Sequence, residues 1–69
     1  MIKFALALVA EKANEPKAYE VFITAAYTDA LSCKEAQATG LRMSRELWPP
    51  AKGYRMHKAV ACEIVEESA

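Results

Sequence analysis

The chain holds one histidine, His57, and two cysteines, Cys33 and Cys62. Imidazole is the usual proton carrier near neutral pH, and His57 could work with Glu63 or Glu20 as an acid–base pair across a dimer. A lone histidine among basic residues is more simply a surface group. The cysteines lie far apart, with no C-x-x-C pair and no His/Cys cluster, which points away from a zinc site and from a disulfide scaffold. Reduced thiols acting as small buried hydrophobes are expected. Cys33 falls at the start of a predicted helix, where the helix dipole favours a thiolate, but its place on an apolar stripe predicts burial and an inert thiol.

The second grouping with chemical content runs from Arg42 to Lys58. Arg42, Arg45, Lys52, Arg55 and Lys58 stand there against Glu46 alone, a local balance of plus four in a chain with nine basic and nine acidic residues. Trp48, Tyr54 and His57 are interleaved with these cations. Such a mixture can contact phosphates and stack on bases, so these eight residues form the candidate nucleic-acid surface. Set against this, aromatics beside Pro49-Pro50 usually cap a core, and helix-surface arginines are usually only solvated. Nucleic-acid binding is therefore the second reading. Around the same place, Leu47-Trp48-Pro49-Pro50 followed by Gly53-Tyr54 resembles segments of MbtH-like proteins, small partners of adenylating enzymes. Tyr54 stands where that family has Trp, the tryptophan-rich C-terminal segment is missing, and no residue role is carried over.

Sequence signatures of catalysis are missing: there is no Gly-rich phosphate loop, no G-x-S-x-G elbow and no metal-ligand spacing. The expectation is a non-enzyme without cofactor or metal. Net charge is zero, so no global field draws the chain toward nucleic acid or an acidic membrane. No run approaches the roughly 20 apolar residues of a membrane span. The segment Phe4–Ala10 is near the lower length limit of a signal-peptide core, and cleavage after Ala10 would put Leu8 where a small residue is wanted. A cytoplasmic location is expected by default.

The elements that position these residues follow from periodicity. With 69 residues, 54% of them apolar and only two glycines, one small domain over residues 1–69 is expected. Ile2, Phe4, Leu6, Leu8 and Ala10 alternate with Lys3, Ala5, Ala7, Val9 and Glu11, a strand with two unlike faces. Polar residues from Lys12 to Lys17 read as a hairpin connection. From Tyr19 to Tyr27 a second alternating run sets Val21, Ile23 and Ala25 against Phe22, Thr24 and Ala26. Ser32 and Glu35 form an S-x-x-E helix start. A helix carries Cys33, Ala36, Gly40, Met43 and Leu47 as its apolar stripe until Pro49-Pro50 ends it. Gly40, costly inside a helix, implies close approach to the sheet. A third alternating run begins at Tyr54, and the acidic end from Glu66 is expected to fray.

The predicted fold is α+β in the order β-β-α-β, a three-stranded mainly antiparallel sheet with order 2-1-3 and one helix on one face. The most apolar strand, the first, takes the centre. One helix covers one face, so the opposite face stays open; Ala5, Ala7, Val9, Phe22, Thr24, Ala26, Ala59 and Ala61 are assigned to it as the candidate interface. Monomers seldom leave a large apolar patch uncovered. The functional expectation is a small interaction module of the adaptor or inhibitor type, working as a homodimer or on a protein partner, with no small-molecule substrate. Charged substitution of Phe22 or Ala61 is expected to weaken association without unfolding.

Overall fold

The computed structural model describes residues 1–14 and 18–65. Its elements are β1 (Ile2–Asn14), β2 (Ala18–Ala30), α1 (Cys33–Leu47), a short 3-10 turn (Pro50–Lys52) and β3 (Tyr54–Glu63). The sheet order is β2-β1-β3 with every neighbouring pair antiparallel, and one helix lies against it. This is the α+β arrangement expected from the sequence. The strands of the hairpin extend into the expected connection, pairing as far as Asn14 with Ala18. The connection between them and the acidic end from Glu66 lie outside the described residues.

Each boundary has a local cause. At the helix start, Ser32 is extended and its Oγ accepts the Glu35 amide at 3.2 Å. At the helix end the Trp48 amide reaches back to the Ser44 carbonyl, and Pro49-Pro50 prevents continuation. Gly53 then turns the chain into β3 with φ at 93°, a left-handed conformation natural to glycine. Met56 shares that region with φ at 56°, at the place where β3 shifts register against β1 between Val9 and Glu11. A β-bulge at this point re-aims the side chains that follow.

Phe4, Leu6, Leu8, Ala10, Ala30 and Ala36 are buried and define the core. Only three of these are large, each contributing about 1.5–3 kcal/mol of burial. The helix faces them with a row of small residues, Ala36, Gly40 and Ser44, all buried. That row differs from the predicted stripe: Cys33 and Leu47 are exposed, and Met43 is only half-buried. Close approach is the reason. A Cβ placed on Gly40 would lie 2.8 Å from the Ala59 Cβ, and Ser44 donates its hydroxyl proton to the Val9 carbonyl at 3.0 Å.

Thirteen-residue strands run roughly 43 Å, while a 15-residue helix covers roughly 22 Å. The molecule is accordingly elongated, 53 × 22 × 14 Å. Beyond the helix C-terminus the sheet is covered by aromatic rings instead. Phe22 lies with its ring centroid 6.1 Å from Trp48 and 5.4 Å from Tyr54, the latter edge-on, and Lys12 Nζ sits 5.1 Å above the Tyr54 ring.

Candidate interaction face

Directly opposed residues of an antiparallel pair project to the same side. Leu8 opposes Thr24 and Ala59, and Leu6 opposes Ala26 and Ala61. Ala10 opposes Phe22. Because Leu6, Leu8 and Ala10 are buried on the helix side, Phe22, Thr24, Ala26, Ala59 and Ala61 belong to that side as well. The expectation that eight residues share the open face therefore fails for these five. Only Ala5, Ala7 and Val9 of that set lie there.

The physical reason is packing distance. Alternation shows that a strand has two faces, but both rows of β2 are apolar enough to serve as the inner one. Small side chains turn toward α1 since the helix seats its own small row against the sheet. On β2 and β3 the aliphatic residues Val21, Ile23 and Val60 are left outside, whereas β1 turns its bulky row inward. On β3 the bulge at Met56 adds a residue, which also breaks a simple alternating assignment.

The open face is consequently more apolar than expected. Around Ala5, Ala7 and Val9 it carries Tyr27, Ala25 and Ile23 of β2, with Val60 and Cys62 of β3, by register. Val21 opposes Glu11 at one end. Ile23 is 69% exposed, Tyr27 66%, Val60 59% and Val21 57%. Charges border this surface: Lys3 opposes Asp29 at one end, Glu11 opposes Arg55 at the other, and Lys58 opposes Val9.

The basic and aromatic residues do not form one surface. Arg42 and Arg45 are exposed on α1, and Lys52 is exposed on the 3-10 turn. Trp48 and Tyr54 are half-buried against Phe22 on the helix side of the sheet, so their rings already have partners. Arg55 and Lys58 take register positions on the opposite face.

His57 Nε2 lies 2.7 Å from the Trp48 carbonyl oxygen. A carbonyl only accepts, so that nitrogen carries the hydrogen, and the ring ties β3 to the helix end. Glu63 stands six residues further along β3, roughly 20 Å away at about 3.3 Å per residue, and Glu20 is on the far strand across β1. Within one chain, therefore, neither carboxylate stands beside His57.

The cysteines correct a further expectation. Both are free and exposed, not buried. Cys33 Sγ reaches the Ala61 carbonyl at 3.7 Å, and Cys62 opposes Ala5 on the open face. Among the described residues no group of three or more His, Cys, Asp or Glu side chains could hold a metal ion, and no helix is long and apolar enough to cross a membrane. Among the described residues, shallow grooves flank α1. One of about 490 Å³ is lined by Leu8, Thr24, Ala26, Met43, Glu46 and Leu47, and one of about 360 Å³ by Gln37, Leu41, His57, Lys58 and Ala59 among others.

Compared with protein families, curated proteins and solved structures, the chain has no significant match.

Proposed function

We propose that this chain is a small non-catalytic interaction module that works by presenting the open face of its sheet to another protein surface. One observation carries the reading: Val21, Ile23, Tyr27 and Val60 project from a single face, each more than half exposed. Large apolar side chains thus stand on the open face as well as in the core, where Phe4, Leu6 and Leu8 pack against the small row of the helix. Leaving water against such a patch costs about 25 cal/mol per Å² of apolar area, and covering it recovers that cost. Charged residues border the apolar centre, as the rim of an interface does. The larger groove beside the helix is lined mainly by apolar side chains, with Thr24 and Glu46 as its polar members.

Photocrosslinking in cells tests this. A benzophenone side chain at Ile23 or Val60 is expected to give protein adducts, while the same group at Arg42 or Arg45 gives none. Adducts confined to the helix positions, or adducts to nucleic acid, would replace the reading with another.

A further inference from the structure

The sequence of side chains along the open row of β1 is Lys3, Ala5, Ala7, Val9, Glu11. Its charges are antisymmetric about Ala7: a cation stands four residues before it and an anion four residues after. Two copies stacked face to face with two-fold symmetry can be related by an axis along the strands or by an axis across them. The first places Lys3 over the partner's Lys3 and Glu11 over the partner's Glu11. The second, passing at Ala7, places each Lys3 over the partner's Glu11, twice per dimer.

We infer that the open face is covered by a second copy of this chain, stacked with antiparallel β1 strands about a two-fold axis at Ala7. This rests on the reading of that face as an interaction surface and names its occupant. The apolar positions agree with the axis. Ala7 is in register with Ala25 and Val60, so mostly small side chains lie at the centre, where two sheets come closest. One step outward the row of Val9 and Ile23 lies over the partner's Ala5 and Tyr27, setting larger groups against smaller ones and an aliphatic side chain against a ring. On β3, Lys58 stacks over the partner's Cys62, keeping like charges apart. Three strands about 4.8 Å apart, running roughly 26 Å from Lys3 to Glu11, make a face at the low end of interface sizes, so a micromolar dissociation constant is expected.

Sedimentation velocity from 1 to 500 µM at low salt tests the arrangement with Lys3→Glu, Glu11→Lys and the double swap. Each single change sets like charges together across the axis twice and is expected to weaken the dimer about tenfold, while the double swap returns to within about threefold of the parent. Within one chain both changes also face Asp29 and Arg55, and that repulsion persists in the double variant. Recovery therefore reports only the contact between copies. A parent that stays monomeric at 500 µM, or a double variant weaker than either single one, overturns the inference. In that event heterologous adducts from a crosslinker at Ile23 would leave the interaction reading standing, and their absence would remove both.

Discussion

The most consequential residue in this structure has no side chain. Gly40 sits in the middle of α1, where replacement by alanine would ordinarily stabilise a helix by about 1 kcal/mol. Here the added Cβ would meet Ala59 at 2.8 Å and Leu6 and Leu8 at 3.4 Å. The Ala59 contact is with a stub fixed to the backbone of β3, so helix and sheet must separate. Overpacking of this kind costs about 1–3 kcal/mol and outweighs the propensity gain. Gly40→Ala is expected to lower the urea midpoint, and Ala59→Gly in the same chain to restore part of it; a higher midpoint for the single variant would show that the interface is slack. The close approach at Gly40 was legible from its cost inside a helix. Ser44 was not, because a serine reads as polar surface unless its hydrogen bond to Val9 is known. The cysteines were misread for the converse reason, since small apolar type alone does not say which side of a strand or helix turn a residue occupies.

At the scale of the element, the order β-β-α-β and the 2-1-3 sheet could be read because local signals agreed: alternation, the Ser32–Glu35 cap and Pro49-Pro50. The faces could not. Alternation is symmetric between the two rows of a strand, so when both are apolar only the register with Leu6 and Leu8 decides, and that depends on hairpin geometry and a bulge no residue type announces. Neighbouring residues of β2 thus acquire opposite roles. Phe22 touches Trp48 and Tyr54, and Ile23 projects from the open side. Phe22→Asp is expected to cost about 3 kcal/mol or more, since it removes the ring contacts and sets a carboxylate in their place. Ile23→Asp is expected to stay within about 1 kcal/mol of the parent. Urea denaturation at low micromolar concentration distinguishes them, and equal losses would contradict the assigned faces. Charged substitution at Phe22 or Ala61 therefore tests folding, not association.

Considered as a whole, the molecule has, among the described residues, three large apolar side chains that are buried, and a sheet longer than the helix that covers it. A chain of 69 residues built in this way has a stability of only about 3–10 kcal/mol. A second copy on the open face would bury the larger apolar row and join that burial to the folding equilibrium. Mass action then links stability to concentration, because the dimer forms only from folded chains. Once the dimer is populated, each tenfold rise in concentration adds about 0.7 kcal/mol per protomer, half the tenfold increment in an equilibrium constant. For a domain of this size that corresponds to about 3–5 °C in Tm. Calorimetry between 5 and 500 µM is expected to show that rise for the parent and a flat Tm for Ile23→Asp, which sets a carboxylate against the partner's Tyr27 one row from the centre of the stack. A parent Tm independent of concentration would mean that the small core holds the fold unaided.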